Sequence, residues 1–261
     1  MTTRKQHYIP QFILRSFLVG TSLKLVSIRT GNRYYRGASN SMFSDWFYEH
    51  RSLPVNHIEN TLASRETHYA EVINHLVSNH TMSMEEYRIL IEFRHVHYYR
   101  SREFYAFFTF QMNRGANSWR QRADWRMING VYTIQSDEDV KLTQLRAIQS
   151  VIEHRDEAYQ LNIMIPICFL LHTAGKKFIL PDCGSISRTD DNELNGLTSI
   201  VIRPDYLLVF PRFGWATNLV EQIRPQSYPH IICSEVDDDY VEQYNQQSIE
   251  SSYEFYVQSN S

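Results

Sequence analysis

The sequence predicts a single α+β domain over residues 1–261, predominantly helical, with a small and mostly antiparallel sheet. Three observations predict this class. The chain has 261 residues, of which 43% are hydrophobic and 21% charged, so it can bury a core and is too apolar for a disordered chain. Its first half has long stretches of helical periodicity. Its second half has short apolar runs between turn-forming residues, and neither a repeat nor a linker separates the halves.

The first half begins with a short helix and a hairpin. Pro10 can occupy the first turn of a helix that runs to about Val19, and Gly20 would close it. The Thr-Gly-Asn turn at 30–32 lies between two stretches of alternating apolar residues. This arrangement predicts a β-hairpin over 23–36.

Longer helices follow. Residues 55–77 repeat apolar side chains at helical spacing. Ser83 and Glu86 form a capping box, because each side chain can accept a hydrogen bond from the other residue's backbone N–H. The helix that they open is expected to run to about Gln111, and a short helix near 117–127 is compatible with the sequence.

The second half mixes helices with short strands. Asp137 can cap a helix that ends near Glu157. Residues 163–171 read equally well as a buried strand or a buried helix. The last helix is expected over 237–257, because acidic residues in its first turn suit the helix dipole. The short strands predicted between these elements are 178–180, 199–202 and 206–210.

The net charge of −3 conceals two opposed halves. Residues 1–126 hold 17 basic groups, 15 of them Arg, against 10 acidic groups, whereas residues 127–261 hold 9 basic against 19 acidic groups. A basic half is the footprint that nucleic-acid or nucleotide binding requires, although Arg pairs equally well with buried carboxylates and the two halves can attract each other. The acidic C-terminal helix is a candidate contact for a protein partner.

Several classes of protein are disfavoured. Cys168, Cys183 and Cys233 include no Cys-x-x-Cys pair, which predicts a reducing, cytoplasmic compartment rather than a disulfide scaffold. The longest apolar run, 161–171, is too short to cross a bilayer, so no membrane partner is expected. The sequence has no phosphate-binding Gly loop, no Gly-x-Ser-x-Gly nucleophile elbow and no zinc-type histidine spacing.

Polar side chains stand where the helical period places the core. Arg100 continues an apolar stripe of the helix that follows the capping box. A guanidinium cannot be buried there without a carboxylate or an anionic ligand. Glu66 takes the corresponding place in the preceding helix. Because consecutive helices usually pack together, we expect Glu66 and Arg100 to face one polar pocket.

Four further polar residues extend this set. Asn245 interrupts the apolar stripe of the last helix, and Gln11 and Arg15 share one face of the first helix, just after His7. Two interpretations are open. The polar set fixes how the helices dock, or it builds a ligand site or active site, since clustered buried titratable groups are frequent at such sites.

The residue types fit a metal-dependent phosphodiesterase, hence a nuclease-like hydrolase. Such an enzyme needs carboxylates to hold a cation, often a histidine, and a cationic group for the phosphate. In this hypothesis His7, Glu66 and Asp182 are catalytic, with Glu66 and Asp182 as ligands of Mg²⁺ or Mn²⁺. The residues that bind phosphate or orient the substrate would be Gln11, Arg15, Arg100 and Asn245.

Two alternatives are open beside the hydrolase. One is a non-catalytic module that binds a ligand or a partner. The other is an enzyme whose Arg residues hold a small-molecule carboxylate. The spacing of the candidate residues favours none of the three.

Residues 7–17, His-Tyr-Ile-Pro-Gln-Phe-Ile-Leu-Arg-Ser-Phe, resemble the opening signature of the bacterial domain-of-unknown-function family 4238. Further short matches follow in the family's order. They are Phe47-Tyr48, Glu66 in an acidic helix, Tyr99-Arg100-Ser101, 178–182, 202–211, and Asn245 at the Asn of the last helix.

The sequence also departs from the family pattern. The family usually follows the strand-end Asp with Asn-Pro, but Cys183-Gly184 follows Asp182, and Arg102 stands where the family has Pro. The resemblance implies membership and a common pocket. It implies no reaction, although the occurrence of the family among bacterial and mobile-element genes suggests a role in defence or with nucleic acid.

Overall fold

The chain is mixed α+β in the computed structural model, which describes residues 4–101, 137–154, 167–189, 196–211 and 229–259. These residues form five α-helices and three sheets. The α+β class is confirmed, but the predicted predominance of helix and the single small sheet are wrong. Several strands escaped prediction because they are polar or very short. No helix in the described ranges is long and apolar enough to cross a membrane.

The helices and strands have the following bounds. The α-helices are α1 (Gln11–Ser16), α2 (His57–Asn79), α3 (Met84–Tyr99), α4 (Asp137–Glu153) and α5 (Asp238–Ser251). The strands are β1 (Lys5–His7), β2 (Leu23–Ser27), β3 (Arg33–Arg36), β4 (Phe43–Asp45), β5 (Ile167–His172), β6 (Leu180–Pro181), β7 (Ile186–Thr189), β8 (Gly196–Arg203), β9 (Tyr206–Pro211), β10 (His230–Glu235) and β11 (Phe255–Gln258).

The strands form three sheets. The largest has the order β10-β5-β9-β8-β7, and a four-stranded sheet has the order β3-β2-β11-β6. The third pairs β1 with β4. All pairs are antiparallel except β5 with β10. The mostly antiparallel character of the strands is therefore confirmed.

The helical predictions hold best at the helix starts. The capping box is present, with the Glu86 N–H donating to Ser83 Oγ and the Ser83 N–H to the Glu86 carboxylate. The helix that it opens ends at Tyr99, well before Gln111. Residues 102–136, which include the predicted short helix at 117–127, lie outside the described part. The first helix is also shorter than predicted, because it ends at Ser16.

The hairpin over 23–36 is confirmed as β2 and β3, with Gly31 in the left-handed region at φ 69°. Of the ambiguous stretch at 163–171, the described part is a strand, β5. The predicted strand at 178–180 is wrong in its position, since β6 is Leu180–Pro181.

The C-terminal segment corrects the prediction of one helix over 237–257. Helix α5 ends at Ser251, and β11 follows. Phe255 and Val257 alternate with more polar residues, which suits a strand. Val257 is fully buried between Leu25 and Leu180 in the four-stranded sheet. The chain leaves the helix because this segment completes the sheet.

Strand β1 is polar and nevertheless buried. Gln6 has no exposed surface; its Nε2 donates to Glu49 Oε1 at 3.0 Å, and its Oε1 accepts from the backbone N–H of Tyr48. These bonds satisfy the buried amide and hold β1 beside the segment after β4. A search for apolar alternation could not find such a strand.

Candidate functional site

Arg100 is a buried cation with all of its nitrogen atoms bonded. It lies at the C-terminal end of α3 and is 2% exposed. Its Nη1 donates to Glu66 Oε1 at 2.7 Å, its Nε donates to the Tyr48 hydroxyl at 2.9 Å, and its Nη2 donates to the carbonyl of His7. The expectation that Glu66 and Arg100 share one polar pocket is confirmed.

The Arg100 guanidinium joins four segments. They are the end of β1, the turn after β4, α2 and α3. The Tyr48 hydroxyl donates a further bond to the same His7 carbonyl at 2.7 Å. Burial alone would lower the pKa of Arg100, but Tyr48 and Glu66 raise it, so the cation persists. Burial also raises the pKa of Tyr48, which keeps the phenol neutral.

Arg15, Gln11 and His7 form a directional chain of hydrogen bonds. Arg15 Nη2 donates to Gln11 Oε1 at 3.0 Å, and Gln11 Nε2 lies 3.4 Å from His7 Nδ1. Arginine can only donate, so the amide atom that faces Arg15 is the oxygen. The Gln11 NH₂ group must then donate to His7 Nδ1, which places the proton of the neutral imidazole on Nε2. The spacing of four residues makes the chain possible, because Gln11 and Arg15 lie one turn apart on α1.

His7 is held as a buried, neutral imidazole. It is 7% exposed, and its ring packs edge-on against Phe43 at 5.9 Å between centroids. Burial lowers the pKa of His7, and the charge of Arg100 lowers it further; nearby backbone oxygens of Ala38 and Ser39 raise it only in part. Its Nε2 has no well-formed hydrogen bond. A buried donor that the neighbouring carbonyl groups engage only weakly is the kind of group that a ligand can satisfy.

The carboxylates of Glu66, Glu59 and Glu49 lie in the same region as the Arg100 cation. Burial raises the pKa of Glu59 and the charge of Arg100 opposes this; with the added repulsion of Glu66 and Glu49, the pKa is about 7. Glu49 Oε1 accepts from Gln6 Nε2 and from the backbone N–H of Asn56, the latter at 3.1 Å. Glu59 therefore exchanges its proton near neutral pH.

Sequence reasoning missed Glu59 and Tyr48. Glu59 precedes Glu66 by seven residues, two helical turns, so the helical period could have placed both on one face of α2. Tyr48 lies in the turn after β4, where periodicity gives no information about burial. Only its place in the aromatic pair of the family resemblance pointed to it.

Asp182 and Asn245 lie in a different network. The Asp182 carboxylate is fully buried and accepts hydrogen bonds from the backbone N–H groups of Tyr253, Glu254 and Phe255, at 2.7, 2.8 and 3.1 Å. Asn245 Oδ1 accepts from Ile179 N and its Nδ2 donates to Lys177 O, both at 2.9 Å. Both side chains bind backbone beside β6.

The candidate residues therefore divide into two groups. The structure links His7, Gln11, Arg15, Glu66 and Arg100 into two connected hydrogen-bond systems that meet at His7. Asp182 and Asn245 form the second group, whose side chains bind backbone beside β6. Across the described ranges, no three His, Cys, Asp or Glu side chains are grouped so that they could hold a metal ion.

Asp182→Asn is expected to lower the free energy of unfolding by about 2–4 kcal/mol, because the new NH₂ group would face backbone donors and leave buried N–H groups without an acceptor. Urea unfolding of the two proteins measures this loss. Asp239→Asn, at an exposed position of α5, is the matched control and should change stability by less than about 1 kcal/mol. Equal stability of Asp182→Asn and wild type would show that the carboxylate does not hold residues 253–255.

His97 connects α3 to the turn after β6. Its Nε2 donates to the carbonyl of Gly184 at 2.9 Å, and its Nδ1 is buried without a partner. Gly184 has φ 83°, and a Cβ there would lie 3.0 Å from His97 Nε2. Where the family usually has Asn-Pro, this chain has Cys183-Gly184. Gly184, which has no side chain, therefore lies against the buried His97. Burial lowers the pKa of His97 to about 4.

This low pKa predicts acid lability. The pKa of folded His97 lies below the ordinary value of 6.5, so the unfolded chain binds the proton first as the pH falls. The contribution of His97 to stability is complete above pH 6.5 and is lost between pH 6.5 and about 4, at a cost of about 3 kcal/mol. His97→Gln keeps a donor for Gly184 but does not titrate, so it should flatten this part of the pH–stability curve. The exposed His68→Gln should leave the slope unchanged, and an unaltered slope in His97→Gln would refute the assignment.

The acidic residues of α5 are partly used within the chain. Asp237 caps the helix by accepting from Tyr240 N at 2.8 Å, and Asp238 Oδ1 accepts from Lys176 N at the same distance. Glu242 pairs with the Lys176 ammonium group. These contacts dock α5 against the loop before β6 and reduce the charge available to a protein partner.

A model of one protein family matches residues 5–261, and its description reads "Protein of unknown function (DUF4238)". The match confirms the resemblance that began at residues 7–17. Searches of curated proteins and of solved structures found no match to the chain.

Proposed function

Because the family model spans nearly the whole chain, the protein belongs to the DUF4238 family, and we propose that it hydrolyses phosphodiester bonds of nucleic acid with His7 as its proton-transfer group. The hydrogen-bond chain from Arg15 through Gln11 to His7 carries this proposal. It leads from an exposed cation to a buried, neutral imidazole whose Nε2 lacks a well-formed bond.

Arg15 is the phosphate-binding group in this proposal. Its side chain is exposed, and a protein acceptor in the described part engages only its Nη2. The remaining N–H groups suit a phosphate oxygen, which an Arg guanidinium binds in a forked geometry. Gln11 is hydrogen-bonded to both Arg15 and His7. It therefore fixes the distance between a phosphate bound by Arg15 and the His7 imidazole.

Arg100 takes a positioning role instead of contacting phosphate. Its nitrogen atoms already bind Glu66, Tyr48 and the His7 carbonyl, and the last of these bonds fixes the backbone that carries the imidazole. Asn245 and Asp182 likewise hold backbone, and we propose no contact with substrate for either.

The carboxylates supply the second proton-transfer group. Glu59, with a pKa of about 7, is protonated in part of the molecules at neutral pH, whereas His7 is neutral. Two groups with such environments can act as acid and base in the same reaction. Glu66 is 22% exposed and Arg100 engages its Oε1, so its other oxygen is the proposed contact for Mg²⁺ or Mn²⁺.

Incubation of purified protein with labelled single- and double-stranded DNA and RNA, in Mg²⁺, Mn²⁺ or EDTA, tests the proposal. Cleavage of at least one nucleic acid is the expected result, and its loss in EDTA would identify a metal requirement. Salt-sensitive binding without cleavage would support the alternative, a non-catalytic binding module. Neither cleavage nor binding would refute both.

A further inference from the structure

One face of the four-stranded sheet carries buried aliphatic side chains, and the opposite face carries aromatic and basic side chains. Lys24 lies opposite Tyr35 and Gln258, and Val26 lies opposite Arg33 and Tyr256. Because side chains alternate along a strand, these residues share a face opposite to the buried Leu23, Leu25 and Val257. We call this the outer face; its accessible side chains are Lys24, Arg33, Tyr35, Tyr256 and Gln258, and Val26 on the same face is buried.

Strand β3 makes the outer face accessible. All four of its residues, Arg33–Arg36, are exposed, and Tyr35 is 66% exposed. Strand β3 is the end strand of its sheet, with β2 as its partner. Tyr35 is therefore a large aromatic side chain that a ligand in solution can reach.

Four cations of β2, β3 and the turn between them have no acidic partner among the described residues. Lys24, Arg29, Arg33 and Arg36 form no ion pair within the part of the chain that the structure describes. Glu254, just before β11, accepts a hydrogen bond through its carbonyl from the backbone N–H of Ile28, just after β2. No acidic side chain in the described part of the chain therefore pairs with these cations.

We propose that the outer face binds single-stranded nucleic acid, with bases stacked on Tyr35 and Tyr256 and phosphates held by Lys24 and Arg33. Single strands expose both the bases and the phosphates that such a surface recognises, whereas a duplex hides its base faces. The inference deepens the proposed function and rests on it for the class of substrate.

The position of β3 connects the outer face to His7. Arg36 ends the strand, and Ala38 begins the 3₁₀ turn Ala38–Asn40 two residues later. The backbone oxygens of Ala38 and Ser39 adjoin the His7 imidazole, and Lys5 Nζ donates to Asn40 Oδ1 at 2.7 Å. A strand of nucleic acid that leaves the outer face along β3 therefore approaches the proposed proton-transfer group.

A protein strand added to the β3 edge is the competing occupant. Charged residues on an edge strand oppose such pairing, and Arg33 and Arg36 are both charged. The basic side chains of the outer face favour a polyanion, and its tyrosines favour a ligand with planar rings that can stack on them. We therefore treat pairing with a second protein strand as an outcome of the test.

Fluorescence anisotropy with a labelled thymidine oligonucleotide of about 20 nucleotides, in EDTA to prevent turnover, measures the binding. Tyr35→Ala should weaken binding by about 5- to 100-fold. Arg33→Gln should weaken it too and reduce the salt dependence, with the slope of log K against log salt shallower by about 0.7. The control variants are Trp46→Ala, which is 43% exposed outside the face, and Arg146→Gln on α4; both should bind as wild type.

Two results would overturn the inference. Equal binding by Tyr35→Ala and wild type would show that the outer face does not hold the strand. Dimers that Tyr35→Ala dissociates would show that the edge pairs with a second protein strand. The experiments distinguish failure of this inference from failure of the proposed function. Binding in EDTA without cleavage in the presence of metal ions would refute only the hydrolase. Cleavage that Tyr35→Ala leaves unchanged would refute only the role of the outer face.

Discussion

Arg100→Met is expected to lower the free energy of unfolding by about 3–5 kcal/mol, the largest stability effect of any single side chain considered. The change removes the cation to which Glu66, Tyr48 and the His7 carbonyl all bind. Methionine fills a similar length but cannot neutralise the carboxylates of Glu66 and Glu59. For a chain of this size, the loss corresponds to a fall in Tm of roughly 6–20 °C.

A double variant distinguishes lost pairing from lost packing. Arg100→Met leaves the Glu66 carboxylate without its cationic partner. Combining it with Glu66→Met removes that carboxylate as well. The double variant should therefore be more stable than Arg100→Met alone, as expected when an ion pair is replaced by apolar side chains. Arg146→Gln, on the exposed face of α4, is the control for removing a surface cation. A Tm for Arg100→Met within about 2 °C of wild type would contradict the description of Arg100 as a buried junction.

His7→Asn is expected to reduce cleavage by about 100- to 10,000-fold without weakening nucleic-acid binding. Asparagine keeps an acceptor near the position of Nδ1, so the Gln11 amide and Arg15 retain their arrangement. It has no group equivalent to Nε2, which is the atom proposed to transfer the proton. His68→Asn, at an exposed position of α2, is the control and should cleave as wild type does.

The sequence predicted those elements whose interacting groups lie close together along the chain. The capping box of Ser83 and Glu86 and the turn at Gly31 both lie within a few residues of the atoms they bind, so composition and spacing suffice. The pairing of Glu66 with Arg100 was also predictable, because a cation in one apolar stripe and an acid in the neighbouring stripe leave few arrangements that avoid a buried, unpaired charge.

Residues whose partners are distant in the sequence escaped prediction. Asp182 fits a metal ligand in residue type, but its partners are backbone N–H groups more than 70 positions away, which no spacing reveals. The same segment explains why the last helix stops at Ser251, since residues 253–255 bind Asp182 before β11 joins the sheet. Strand β1 was missed because side-chain bonds to Glu49 and Tyr48, rather than apolar character, allow Gln6 to be buried.

The most direct test of the proposed function is the single-turnover rate at which excess enzyme cleaves a bound, labelled nucleic acid, compared between wild type and His7→Asn. We expect cleavage by wild type, a rate at least about 100-fold lower for His7→Asn, and equal binding by both proteins. Equal cleavage rates would contradict the assignment of His7. The absence of cleavage by wild type on every DNA and RNA substrate, with Mg²⁺ or Mn²⁺ present, would contradict the hydrolase itself.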